Sequence, residues 1–411
     1  MSVNLAVAPA TQPTTQPTTR PAAAPQTPAP SKAPYFDVFG QQVDNPEDSF
    51  TAANPLPTQS GALIVEDQFI SNPMDPSVPH GNWVALAAAQ GRFSGPIGQQ
   101  LLTRSSDPKY AGPAANPLND AQHQALADFD ESITSGEVNL LNDSTRQLTG
   151  LKQAGVNHGA VNLSMGADQA SMVQNKYGFA SLAWDPKVSP ENQASAKKMY
   201  LDGPATAFGI DESKLLSSDP KVAGPERAKF QQALIDRVNK DQDNKDIAAA
   251  KKAYDASVAG LEPNKESVVV AGCNAGDLLA KMKSENGGLE LKTPTNFYDN
   301  PLSNSKTITV GATDRGNPKS PSEEVAPYSN PSKNISIYAS GDIGDEKGTS
   351  FASPRVAAAV AELHKQHPDA SNQEVERLLQ TTLTHSLDNG GAKVSVLDDN
   401  KSLNLFAQLP N

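Results

Sequence analysis

A single cysteine, Cys273, stands in 411 residues. One thiol cannot close a bridge within the chain, so a disulfide framework is excluded. Aromatic residues make up 5% and hydrophobic residues 37% of the chain. That suffices for one large α/β domain with additions, or for two smaller domains, with part of the chain poorly packed. No run of about 18 apolar residues occurs, so no transmembrane helix is expected. The N-terminus lacks a charged stretch followed by a long apolar one, and no secretory signal is expected. Net charge is -12 and no long basic block exists, which argues against a nucleic-acid partner. No phosphate-binding loop and no zinc motif is found. Asp241-Gln-Asp243-Asn-Lys245-Asp246 has the outline of a calcium loop, but Lys245 and Asp246 stand where an oxygen ligand and Gly are needed. No metal and no cofactor is therefore expected.

Residues 1–34 are Thr, Pro, Ala and Gln with almost no charge. Such a segment cannot bury enough apolar area to offset its ordering entropy, so a disordered leader is expected. It suits either a passive tail or an export signal for a route without N-terminal cleavage, such as type III secretion. The compartment stays open.

From about residue 60 an α/β pattern begins. Short apolar runs at Gly61–Val65, Ala160–Leu163, Ser267–Ala271, Thr307–Val310 and Ile335–Tyr338 read as strands. Ala-rich or periodic stretches at Asn82–Gln90, Gln147–Ala154 and Ser350–Lys365 read as helices. Ser371-Asn-Gln-Glu374 reads as a capping box opening one more, with Val375, Leu378 and Leu379 on its buried face. Strands alternating with helices imply a mostly parallel sheet covered on both faces. Residues 170–262 look inserted and mainly helical, with Phe230, Leu234, Ile235 and Val238 on one apolar stripe. A lid or exosite and a decorative insertion are both open for them.

Gly348-Thr349-Ser350-Phe351-Ala352-Ser353-Pro354 carries the strongest chemical signal. A serine at a helix N-terminus sits where backbone N–H groups favour developing negative charge. Pro354 is expected in the first turn, where a missing N–H costs little. The segment resembles the serine motif of the subtilase family, Gly-Thr-Ser-x-Ala-x-Pro. A serine hydroxyl needs a neighbouring base. His80-Gly81-Asn82-Trp83-Val84-Ala85 resembles the family's histidine motif, with Asn82 and Leu86 departing from it.

The other histidines lack such a setting. His158-Gly159 opens a strand, while His123 and His385 have polar surroundings. His364 and His367 are expected as a solvent-facing pair at a helix C-terminus.

The remaining roles follow from the resemblance. The orienting acid falls at the end of the first core strand, where Asp67 is the choice, Glu66 the runner-up and Asp75 a distant third. Strand alternation would turn Glu66 and Asp67 to opposite faces. Val268-Val-Val-Ala-Gly-Cys-Asn274 resembles the oxyanion segment, which assigns Asn274 a side-chain amide role, with Cys273 where the family has Gly. Asn162-Leu-Ser164-Met165-Gly166 resembles the substrate-pairing strand, and Ala271 and Gly272 would wall the pocket for the residue before the scissile bond.

The resemblance thus implies a subtilisin-like three-layer α/β fold over 35–411 with a helical insertion. It also implies a monomeric serine endopeptidase acting on proteins or peptides, away from membranes. The rival from another class is a pseudoprotease that keeps the fold as a binding module or effector.

Overall fold

Strand periodicity dictates the centre of the molecule. In the computed structural model, Leu63 and Val65 pack into one apolar cluster and Ile64 between them into another. Ala160 opposes Val161 and Leu163 in the same way, and Val269 opposes Val268 and Val270. Alternate residues therefore face opposite layers, and both faces of the sheet are dry.

The structure describes residues 35–36, 42–43, 62–67, 80–90, 97–101, 121–153, 159–314, 323–398 and 401–402. The leader expected over 1–34, and Asp75 and His158, lie outside the described residues. Among the described residues no helix is long and apolar enough to cross a membrane.

The strands of the main sheet are β1 (Ala62–Asp67), β2 (Ile97–Leu101), β3 (Gly159–Leu163), β4 (Glu266–Ala271), β5 (Thr307–Asp314), β6 (Glu324–Val325), β7 (Ile335–Ser340), β8 (Thr384–Asn389) and β9 (Ala392–Leu397). Their order across the sheet is β2-β1-β3-β4-β5-β7-β9-β8, with β6 antiparallel on β5. Among the described residues of this sheet only β6 and the edge strand β8 run against their neighbours, so the sheet is mostly parallel.

One face carries α1 (His80–Gln90), α7 (Thr349–Gln366) and α8 (Asn372–Thr382). Val84, Ala87 and Ala88 of α1, Val356 and Val360 of α7, and Val375 and Leu379 of α8 join the cluster that holds Leu63 and Val65. The other face carries α2 (Ala121–Gln153) and α5 (Lys245–Leu261), through Leu141, Leu148, Leu151, Ile247, Tyr254 and Val258. The α8 start has the expected Ser371 cap on the Glu374 N–H. The Glu374 carboxylate, however, pairs with Arg377.

Between β3 and β4 run α3 (Gln169–Ser181), four short helical turns, α4 (Pro220–Asp241) and α5. Residues of α3 and α4 share a separate core, built on Tyr177, Leu201, Phe230 and Leu234, with Leu278 and Met282 of α6 (Leu278–Glu285). The α5 stripe instead seals the sheet. Tyr254, fully buried, donates its hydroxyl proton to the Leu302 carbonyl. Excising 172–260 would therefore strip one face of the sheet as well as any surface feature.

One expectation is corrected. His364 is not solvent-facing: it is 1% exposed and its Nε2 lies 3.0 Å from the Ser267 hydroxyl. It falls four residues after Val360 and eight after Val356, on the helix face turned to the sheet. His367, beyond the helix, is exposed.

Candidate active site

Parallel strands deliver their carboxyl ends to one rim of the sheet, where chain reversals leave side chains free for chemistry. Asp67 is the last residue of β1. It follows Leu63 and Val65 by the period of two, so it points to the α1 and α7 face. His80 is the first residue of α1 and Ser350 the second of α7. Residues far apart in sequence thus meet above one rim.

The three side chains form a continuous hydrogen-bonded line. His80 Nδ1 is 2.8 Å from Asp67 Oδ1, and His80 Nε2 is 3.0 Å from Ser350 Oγ. An ionised carboxylate only accepts, so Nδ1–H donates to Asp67 and the lone pair of Nε2 receives the Ser350 hydroxyl proton. Asp67 is buried, and the ring of Phe351 lies 5.6 Å from the His80 ring. Burial works against the imidazolium form of His80. The hydrogen bond and charge of Asp67, joined by the charge of Glu346, outweigh it and hold the pKa above the ordinary histidine value.

Asn274 follows β4 by three residues and is exposed. Its Oδ1 accepts from the Thr349 N–H at 2.9 Å and from the Thr349 hydroxyl at 3.0 Å. With the oxygen so held, Nδ2 turns toward the serine. Gly348 lies between them: a Cβ there would sit 3.0 Å from Ser350 Oγ and 3.4 Å from Asn274 Nδ2. The missing side chain leaves a cradle that a substrate carbonyl can enter.

The expectation for Pro354 needs revision. The helix begins at Thr349, so Pro354 is its sixth residue, past the first turn. Its missing N–H would have bonded the carbonyl four residues back, that of Ser350. Ser164 Oγ donates to that carbonyl at 2.9 Å instead. Ser164 is itself fixed by Asn162 Nδ2 at 2.7 Å and lies 3.1 Å from Ser353 Oγ. The Ser164 side chain thus supports the start of α7 from the β3 end.

Of the other residues expected to meet substrate, Gly166 is exposed, Met165 half-buried, and Ala271 and Gly272 buried. They stand at the ends of β3 and β4, beside Asn274. Sequence reading missed Asn330, whose Oδ1 accepts from the Ala275 N–H at 2.7 Å and whose Nδ2 donates to the Tyr298 carbonyl at 3.1 Å. It also missed Asn300 and Asp168. Polar loop residues of this kind carry no periodic signal. Among the described residues no group of three His, Cys, Asp or Glu side chains is placed to hold a metal ion.

An Asp, a His and a Ser in hydrogen-bonded line at the carboxyl rim of an α/β sheet form an arrangement able to activate a serine hydroxyl. The subtilase family model matches residues 207–404, a span that contains Asn274 and Ser350 but not Asp67 or His80. Over that span the chain is similar to the subtilase family of peptidases. No curated protein matches it. Among solved structures it is similar to a lanthipeptide protease, at 12% identity over 84% of this chain and 87% of that one, with a TM-score of 0.38. It is also similar to the prenylagaramide maturation protease PagA, at 12% identity over 89% and 99% with a TM-score of 0.37. A cold adapted subtilisin-like serine proteinase gives 13% identity over 82% and 88%, with a TM-score of 0.35.

Proposed function

We propose that the chain is a serine endopeptidase in which Ser350 is the nucleophile, His80 the general base, Asp67 the orienting carboxylate and Asn274 a donor to the oxyanion. The observation that carries this reading is the unbroken line Asp67–His80–Ser350. Ser350 Oγ attacks the scissile carbonyl carbon as Nε2 takes its proton. The carbonyl oxygen becomes an alkoxide in the cradle beside Gly348, between Asn274 Nδ2 and the Ser350 N–H at the helix start. The imidazolium returns its proton to the departing amine, and the C–N bond breaks to leave an acyl-enzyme. A water molecule, deprotonated by His80, then attacks the ester and releases Ser350.

A fluorophosphonate probe tests the reading, because it forms a covalent bond only with an activated serine. The wild-type chain is expected to label and Ser350→Ala to remain unlabelled. Equal labelling of both, or of neither, would contradict the assignment, and the second result would favour a binding module.

The pH profile gives an independent check. The base must be neutral to act, so kcat/KM is expected to fall as pH drops through a His80 pKa above 6.5. Glu346 raises that pKa. Glu346→Gln removes a charge that favours the imidazolium, so the pKa falls and the base stays neutral to lower pH. The acid limb of kcat/KM should therefore move to lower pH. A shift to higher pH, or none at low salt, would contradict the electrostatic account.

A further inference from the structure

β3 and β4 pair in regular parallel register up to Leu163 and Val270. Beyond that pair the ladder is replaced by a side chain. Asn300 Nδ2 donates to the Met165 carbonyl at 2.9 Å and to the Ala271 carbonyl at 2.7 Å. One amide thus spans the two strand ends, and Asn300 is 3% exposed. The next residues outward are Gly166 on one prong and Gly272 and Cys273 on the other.

The fork between the prongs is not empty. A Cβ on Gly166 would stand 2.2 Å from Cys273 Sγ and 2.6 Å from Asn300 Nδ2. The sulfur and the Asn300 amide therefore both lie directly against the Gly166 backbone. Cys273 is 7% exposed, whereas Gly166 is exposed and Asn274, one residue on, is exposed too. The thiol thus occupies the fork one residue before Asn274, whose Nδ2 borders the Gly348 cradle.

Several contacts keep it there. Cys273 has φ +70°, a left-handed conformation that fixes where its side chain emerges and that a non-glycine residue adopts at a cost. The Asp168 carboxylate accepts from the thiol and also has Asn330 as a donor. Asp168 is 1% exposed and caps α3 through the Ser171 N–H at 2.9 Å and the Ser171 hydroxyl at 2.5 Å. Swinging the sulfur aside would mean breaking its bond to a buried carboxylate.

We propose that Cys273 is a specificity-determining residue: its thiol plugs the fork between Gly166 and Gly272 and restricts the substrate residue before the scissile bond to glycine or alanine. A larger side chain entering between the prongs meets the sulfur and the Asn300 amide. This inference rests on the peptidase reading above for the location of the scissile bond. Its physical content, a steric limit in the fork, is measurable without turnover.

Cys273→Gly removes the plug and suits a positive φ. Cys273→Ser keeps an atom of similar size and a donor for Asp168. Peptides with Gly, Ala, Leu or Phe before the scissile bond are compared as ratios, so any general loss of activity cancels. In Cys273→Gly the Phe-to-Gly ratio of kcat/KM should rise by about tenfold or more, on the scale of selectivity set by pocket volume. In Cys273→Ser it should stay near that of the wild type. The same peptides are titrated against Ser350→Ala with and without Cys273→Gly, where the Phe peptide should gain about tenfold in affinity over the Gly peptide. Wild-type preference for Phe or Leu, or an unchanged ratio in Cys273→Gly, would overturn the plug. A size limit seen in binding, with no cleavage or labelling by the wild type, would overturn the peptidase reading and leave the plug standing.

Discussion

Asp67→Asn is expected to lower kcat by about ten-thousand-fold with KM little changed, a magnitude borrowed from the trypsin-type triad. The substitution is nearly isosteric, so the rim of the sheet should keep its shape. The chemistry changes because Asn presents an N–H where the carboxylate presented a lone pair. That N–H donates to Nδ1 and drives the imidazole proton onto Nε2, the nitrogen 3.0 Å from Ser350 Oγ. A protonated Nε2 cannot receive the serine proton. The loss should therefore sit in kcat and survive at every pH. A loss under tenfold would transfer the role to another carboxylate or deny it to any.

Asn274→Ala is expected to lower kcat by about 100-fold or more, a loss borrowed from the corresponding donor of subtilisin. The amide meets the substrate oxygen only once that oxygen carries charge, so ground-state binding should change little. Truncation to Ala also deprives the Thr349 N–H and hydroxyl of their acceptor. Asn274→Asp separates the two effects. It retains the acceptor for Thr349 and replaces the donor with an anion facing the developing alkoxide. A loss as large in Asp as in Ala assigns the effect to the oxyanion. Recovery in Asp assigns it to Thr349, and a loss under threefold in both would show that Asn274 has no part in catalysis.

Much of this candidate site was legible in the sequence because its proposed residues occur in fixed local strings. Ser350, His80 and Asn274 each stand in a contiguous motif, and the geometry brings the first two into hydrogen-bond contact and the third alongside them. The choice between Glu66 and Asp67 needed only the strand period, since Leu63, Val65 and Asp67 share a face. The helical segment after Gly166 was visible through its apolar stripes. Invisible were features whose meaning lies across the chain. Asn300 sits in a loop of turns and bridges two strand ends that sequence does not bring together. The donor that replaces the Pro354 N–H comes from Ser164, on a different strand end. The β8–β9 hairpin was missed because Thr384–Asn389 is polar and mostly exposed. Its turn signal, Asn389-Gly390-Gly391, was present, and both glycines take positive φ. His364 was misjudged from its place at a helix C-terminus, although its spacing from Val360 put it on the buried face.

The distance along the chain between His80 and Ser350, the proposed base and nucleophile, has a consequence in time. His80 and Ser350 are 270 residues apart, and α7 packs into the middle of a sheet assembled from strands on both sides of the helical segment. At ordinary rates of synthesis the ribosome needs about 10 to 50 s to travel between them. A base without its serine is inert, and so is a serine on an undocked helix. Contacts of such long sequence separation also form late in folding. On the proposed reading, the emerging chain therefore passes through synthesis without cutting power, and peptidase activity arrives only when the fold that confines it is nearly complete.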